Sequence, residues 1–266
     1  MSEDLDAPVT YDVRGAVATV TLSRPHAMNS MTVAAKVALR DAVHAAAADA
    51  AVRAVVLTGT GRAFSVGQDL KEHVESLKGS ATQVWRTVPE HFAPIAMSLA
   101  SMPKPVIAAV NGVAAGAGFS FALACDLRII AESAGFNTAF AAIGLSCDTG
   151  ASWTLPRLVG HARAMELLLL PRTVKAAEAL RLGIANEVVP DDELLPRAAA
   201  LAAELASGPT IAYAAIKRAL AYSATHELSE ALEHEAAKMA LTGATADHAE
   251  AVRAFLDKRP PRFEGR

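Results

Sequence analysis

Residues Lys104–Asp126, KPVIAAVNGVAAGAGFSFALACD, and the continuation Leu127–Asp148, LRIIAESAGFNTAFAAIGLSCD, decide the fold. The β-branched run Val106–Val110 reads as a strand. Asn111, Gly112, Gly116 and Gly118 read as a turn, and a helix opens near Ala117. A glycine-rich turn feeding a helix leaves backbone N–H groups facing outward, and such groups suit an oxygen that carries negative charge. The stretch therefore predicts half of an oxyanion site.

Outward from there, the same pattern recurs. Ala54–Thr58 (AVVLT) is a short apolar run of the kind that forms a strand buried on both faces, ended by Gly59 and Gly61. The loop Ser65-Val66-Gly67-Gln68-Asp69 follows it. If the two strands are neighbours in a parallel sheet, this loop and Gly116-Ala117-Gly118 emerge together at the carboxyl ends, where α/β proteins bind ligands. The N–H groups of Gln68 and Ala117 could then meet at one carbonyl oxygen; ordinary strand-to-helix turns are the plainer reading.

Thr10–Arg14 and Ala16–Leu22 read as a hairpin around Gly15. A helix capped by Ser30 or Thr32 carries apolar residues at Val33, Val37, Leu39 and Val43 and ends near Ala51. A long helix spans about Gln83 to Met102 and stops at Pro103 and Pro105. With Leu127–Ala131 as a further strand, the order indicates parallel pairing through helical crossovers, an α/β class. Beyond Gly150 the chain reads as mostly helix, with one extended piece at Asn186–Val189. Four amphipathic segments close it: Leu194–Ala206, Pro209–Tyr222, Glu227–Leu241 and Ala246–Leu256. No linker or repeat divides the 266 residues. The expectation is residues 1–205 as the core and 206–266 as a helical C-terminal region of the same compact unit.

Hydrophobic residues make up 52%, charged ones 20%, and the net charge is −3, which argues against disorder and against a nucleic-acid face. Cys125 and Cys147 form no disulfide framework and no metal-type spacing, so no metal is expected. The acidic opening MSEDLDAPVT lacks the features of a secretory signal, and a cytoplasmic location is expected. The uncharged run Pro105–Cys125 has the length of a membrane span but carries Asn111, Ser120 and glycines, so no membrane is expected.

Ser120, in Gly118-Phe119-Ser120-Phe121-Ala122, nearly matches a nucleophile elbow but sits away from a strand tip, and Asp191 with His226 or His248 is unmarked as its triad partner. A helical surface or pocket-wall serine is the plainer reading. The glycine spacing also fails the dinucleotide pattern. Asp148 could cap a helix starting near Gly150, and with Phe140, Ile143, Leu145 and Trp153 nearby it could equally be a desolvated carboxylate whose pKa rises toward values useful for proton transfer. His91 and His161 have no obvious partners.

Several motifs in order resemble the crotonase superfamily, the enoyl-CoA hydratase/isomerase group: Ala54–Gly59 with Phe64–Leu70, Lys104–Gly112, Leu155–Gly160, and Ala176–Gly183. The resemblance runs from about Val9 to Arg266. It implies a spiral of ββα units, a homotrimer or dimer of trimers joined through the helical C-terminal region, and coenzyme A thioesters as substrates, with coenzyme A part of the substrate and no separate cofactor. By position it implies an oxyanion hole from the backbone of Gln68 and Ala117. It places Arg24, His26 and Ala27 near the nucleotide end of coenzyme A, and Ser65, Gly67, Gln68, Asp69, Leu70, Gly116, Ala117 and Phe140 around the substrate.

The departure from the family pattern is informative. Hydratases of the family carry two glutamates across the thioester, and the resemblance puts Ser120 and Phe140 at those positions. Asp148 is the acid that remains, at a place where ring-opening isomerases, chlorobenzoyl-CoA dehalogenase and dihydroxynaphthoyl-CoA synthase hold an aspartate. One carboxylate suffices to move a proton between carbons, so the favoured reaction is conversion of a 3-enoyl-CoA into a 2-enoyl-CoA with Asp148 as shuttle. A hydratase activating water through Asp148 alone is the alternative, as is a catalytically weakened acyl-CoA-binding member. Dehalogenation is disfavoured because His91 falls near but not on the position of that enzyme's histidine.

Overall fold

The computed structural model describes residues 7–79 and 84–266; the expected helix start at Gln83 and most of the acidic opening segment lie outside the described residues. Along the chain run β1 (Val9–Arg14), β2 (Val17–Leu22), β3 (Ala54–Gly59), β4 (Ala63–Ser65), β5 (Val106–Val110), β6 (Val113–Ala115), β7 (Leu127–Ala131), β8 (Gly135–Asn137), β9 (Val174–Lys175) and β10 (Glu187–Val189). They form a six-stranded sheet in the order β1-β2-β3-β5-β7-β10 and a four-stranded sheet in the order β4-β6-β8-β9. Each repeat sends its first strand into the large sheet and its second into the small one. β3 with β4, β5 with β6 and β7 with β8 are such pairs, and this is the ββα spiral.

The large sheet is parallel from β2 to β10, with β1 antiparallel at its edge; Gly15 at φ 58° supplies the positive φ that the tight hairpin turn requires. β3 and β5 are buried along their whole length, as strands covered on both faces must be. The helices Val33–Ala48, Ala93–Ser101, Ala117–Ala124 and Leu194–Ser207 all contribute to the core around these strands. Each fully buried Leu or Val there contributes about 1.5 to 3 kcal/mol against its exposed state.

The first helix is capped by the Thr32 hydroxyl, which accepts from Ala35 N. It ends at Ala48 rather than near Ala51, because Asp49 leaves helical geometry and its carboxylate accepts the Ala51 amide in a local turn. Its buried stripe is Ala35, Lys36, Leu39, Val43 and Ala46, so Val33 faces out. The long helix expected up to Met102 is not continuous. Among the described residues, Val88–Phe92 winds as a π-turn in which Pro89 has no N–H to give, and it runs into the regular α-helix Ala93–Ser101.

The extended piece near residue 186 is the strand Glu187–Val189, with the Asn186 side chain accepting from Arg128 N instead. The closing helices are Leu194–Ser207, Thr210–Ser223, Leu228–Gly243 and Ala246–Leu256. The chain end folds back onto the body. Arg53 donates to Thr210 Oγ1 at 2.8 Å and to Phe263 O at 3.0 Å, and Asp247 accepts from the amides of Glu264 and Gly265 at 2.7 and 2.9 Å. Among the described residues no single helix is long and apolar enough to cross a membrane. The run Pro105–Cys125 is β5, β6 and the helix Ala117–Ala124 with their turns.

Candidate active site

The two glycine loops leave adjacent strands, but these are β4 and β6 of the small sheet, not the longer strands from which the sequence placed them. They touch. A Cβ on Gly118 would lie 2.3 Å from Ser65 O, and one on Gly67 would lie 3.0 Å from both Ala115 O and Ala117 N, so only glycine permits the approach. Gly67 (φ 80°) and Gly116 (φ 53°, ψ −124°) also occupy backbone conformations that side chains disfavour.

Met31 pairs beside Gln68 as an isolated parallel bridge, in which Met31 N donates to Gly67 O at 2.8 Å and Asp69 N donates to Met31 O at 3.1 Å. The Gln68 amide lies between those two bonds and has no acceptor among the described residues. Ala117 begins its helix, and its amide likewise has none. Two free donors thus stand on loops in van der Waals contact, a geometry able to hold an oxyanion.

Around them, side chains fix the loops. Ser65 is fully buried; its hydroxyl donates to Asn29 O at 2.8 Å and accepts from Gly67 N at 3.1 Å. Asp69 caps the helix Leu70–Ser76, accepting from the amides of Lys71 and Glu72, while Ser30 Oγ and Arg24 donate to its other oxygen at 2.8 and 3.1 Å. Burial works to raise its pKa, but the Ser30 hydroxyl, the Glu72 amide and Arg24 bring the carboxyl below its ordinary value. Arg24 is accordingly turned inward, onto Asp69 and Ser30, while His26 is exposed and Ala27 half-buried on the short turn Pro25–Ala27. Leu70 is exposed.

Asp148 lies on the loop between Phe140 and Gly150. It does not cap the following helix, which starts after Gly150 with no side-chain cap; its carboxylate accepts from the Thr149 hydroxyl at 2.8 Å. Burial raises its pKa, and the Thr149 hydroxyl and the charge of Lys36 offset that only in part. Thr149 (φ 55°) and, earlier in the same segment, Ala139 (φ 60°) hold left-handed backbone that non-glycine residues adopt at a cost. Phe140 is buried.

Ser120 is a fully buried serine of the helix Ala117–Ala124, with its hydroxyl donating to Gly116 O at 3.2 Å and approaching Asp148 O at 3.5 Å. No triad forms around it: Asp191 accepts from the Ser133 amide, and His226 stacks on Tyr222. Among the described residues no three His, Cys, Asp or Glu side chains gather as a metal group.

The sequence reading missed a buried lysine. Lys36, 1% exposed, donates from Nζ to Thr87 Oγ1 at 2.7 Å and lies 4.9 Å from the centre of the Phe92 ring. His91, left without a partner in the sequence, has Nδ1 3.2 Å from the same hydroxyl. A lysine inside an otherwise apolar helical stripe was the available signal. A cavity of about 260 Å³ is lined by Val33, Gln68, Glu72, His73, Thr87 and His91, among others. A larger groove of about 740 Å³ runs along the C-terminal tail, where Glu250 and Arg259 pair with each other.

Comparison with known proteins agrees with this architecture. The family described as enoyl-CoA hydratase/isomerase matches residues 12–266. A Rhodobacter capsulatus protein named "Probable enoyl-CoA hydratase" is 43% identical, covering 97% of this chain and 98% of its own length. The 1,2-epoxyphenylacetyl-CoA isomerase of Escherichia coli is 41% identical over 96% of this chain and 97% of its own. The crystal structure of an enoyl-CoA hydratase from Bacillus anthracis superposes with a TM-score of 0.92 at 32% identity, covering 97% of this chain and 100% of that one.

Proposed function

The chain belongs to the enoyl-CoA hydratase/isomerase family, and within it we propose an enzyme that moves the double bond of a 3-enoyl-CoA to the 2 position, with Asp148 as proton shuttle. Asp148 carries this reading: it is a half-buried carboxylate with a raised pKa and one hydroxyl as its direct side-chain partner. Ser120 and Phe140, at the positions where the family resemblance puts hydratase glutamates, hold no acid or base.

In the proposed reaction the thioester oxygen accepts from the amides of Gln68 and Ala117. The Asp148 carboxylate takes a proton from C2, and the electron pair spreads over the dienolate to that oxygen. The resulting carboxylic acid returns the proton to C4, and the double bond closes between C2 and C3. No water is consumed. Desolvation brings the carboxyl pKa closer to that of a carbon acid, the direction a general base needs. The oxyanion donors are backbone groups; in other enzymes the loss of one such donor lowers kcat about 10² to 10³-fold.

The test is a panel of 3-enoyl-CoA and 2-enoyl-CoA substrates assayed with the native protein and Asp148→Asn. Isomerisation is expected in the native protein, with a loss of about 10³-fold or more in the variant and unchanged affinity for a saturated acyl-CoA. Fast hydration of crotonyl-CoA without isomerisation would replace this reading with a hydratase. Binding without turnover would make the chain an acyl-CoA-binding member. Exposed Leu220, Leu228, Met239, Phe255 and Leu256 on the closing helices support subunit association through that region, as a homotrimer or a dimer of trimers.

A further inference from the structure

Lys104 and Lys217 turn their ammonium groups onto partners that account for them. Lys104 donates to Ala46 O at 2.8 Å and to Asp49 O at 2.7 Å, which fastens the end of the helix Val33–Ala48, and Lys217 pairs with Asp126 at 2.7 Å. Lys36 is different. It sits in the buried stripe of that helix, its hydrogen bond goes to a neutral hydroxyl, Thr87 Oγ1, and no carboxylate stands within ion-pair distance of it among the described residues. An ammonium buried in this way is costly unless charges elsewhere compensate it.

The compensating charges lie beyond contact. Burial lowers the Lys36 pKa, and Glu72, Asp148 and Asp69 work against that. Two of the three carboxylates are held by other donors: Glu72 accepts from Val33 N at 2.8 Å, and Asp69 accepts from Ser30, Arg24 and the amides of Lys71 and Glu72. Asp148 has the Thr149 hydroxyl, and Lys36 is the charged group whose field reaches it. His91, on the π-turn, faces the same ammonium and is held toward its neutral form by burial and by that charge.

The path from Lys36 to Asp148 runs through buried residues. The ammonium lies 4.9 Å from the centre of the Phe92 ring, and Phe92 packs on Phe121 with ring centres 6.0 Å apart. Beside Phe121 in the same helix, the Ser120 hydroxyl approaches Asp148 O at 3.5 Å. Phe92, Phe121 and Ser120 are all buried, and charges in such surroundings are screened far less than at the surface.

We propose that Lys36 is a positioning residue for the reaction: across buried Phe92 and Phe121 its ammonium holds the Asp148 carboxyl in the charged form at neutral pH, so that Asp148 begins the cycle as a base and, once protonated, releases the proton to C4. The inference rests on the reading of Asp148 as proton shuttle and adds the group that sets its charge. The cost of burying the ammonium is thereby tied to the chemistry of the site.

The test reads Asp148 directly. Carbon NMR of its carboxyl, identified by the signal lost in Asp148→Asn, is titrated in the native protein, in Lys36→Met and in Lys36→Gln. Met suits the apolar stripe, and Gln keeps a donor for Thr87 without the charge, so either folded variant suffices. The Asp148 midpoint is expected to rise by about half a pH unit or more in both, and to stay near the native value in Lys36→Arg. The acidic limb for isomerisation of a 3-enoyl-CoA should move to higher pH by the same amount, with KM little changed and the plateau rate altered less than about tenfold. A purely structural role would lower the rate at every pH alike. The ring signals of His91 are followed in the same titration, so that its protonation is not taken for that of Asp148. An unmoved Asp148 midpoint in a folded neutral variant would overturn the proposal even if isomerisation is confirmed. A raised midpoint in a protein that isomerises no 3-enoyl-CoA would uphold the control of Asp148 by Lys36 and remove instead the isomerase reading beneath it.

Discussion

Two aspartates face opposite treatment in the loops around one site. Asp69 is buried among donors: the Ser30 hydroxyl, the amides of Lys71 and Glu72, and Arg24. Asp148 is half-buried with a single hydroxyl donor to its side chain. Their pKa values move apart, down for Asp69 and up for Asp148. Burial pushes both upward; the groups that favour the charged form outweigh it at Asp69 and offset it only in part at Asp148. Asp69 serves as a fixed anchor for the Gln68 loop, and Asp148 is left ready to exchange a proton.

The sharpest way to break this contrast is Asp69→Ala. It leaves Arg24 without its carboxylate, removes the cap of the helix Leu70–Ser76, and should cost about 3 kcal/mol in denaturant unfolding. A loss below 1 kcal/mol would mean that Asp69 does not anchor the loop.

A second test concerns pH. Asp69 has a lowered folded pKa, so its stabilising contribution is present above the unfolded value of 3.8 and is lost as pH falls through the folded value. Asp148 has a raised folded pKa, so its contribution is full below 3.8 and is lost as pH rises through the folded value. The stability difference between native protein and Asp148→Asn should therefore move against the native protein as pH rises above 4, and the difference for Asp69→Asn should move against it as pH falls below 4, so the two slopes against pH have opposite signs. Slopes of the same sign would refute the contrast.

The smallest expected effect sharpens the account of Asp148. Thr149→Gly keeps the positive φ and deletes the hydroxyl, so the Asp148 carboxyl should rise further. The acidic limb of the pH–rate profile should shift to higher pH with a change in maximal rate of less than about tenfold. An unmoved limb would assign it to another group.

Much of this was legible in the chain. β5 and β7 match the expected strands, and the helix Ala246–Leu256 was read at its full length, because apolar runs and amphipathic spacing are local signals. The small sheet was not legible. Ala63–Ser65, Val113–Ala115 and Gly135–Asn137 are three-residue strands rich in small residues, and each lies beside a turn. Asp148 was singled out by its apolar neighbours in sequence, whereas Lys36 within its field depends on where the helix Val33–Ala48 packs.

The sequence by itself determined the order of the longer strands and the glycines on which the two loops turn, since those follow from side-chain volume and backbone freedom at each position. Tertiary structure decided what no local pattern encodes. It brought Gly67 against Ala117, surrounded Asp69 with donors while leaving Asp148 with one, and enclosed the Lys36 ammonium beside Phe92 and Thr87. Electrostatic character depends on distances across the fold, and residues far apart in the chain set those distances.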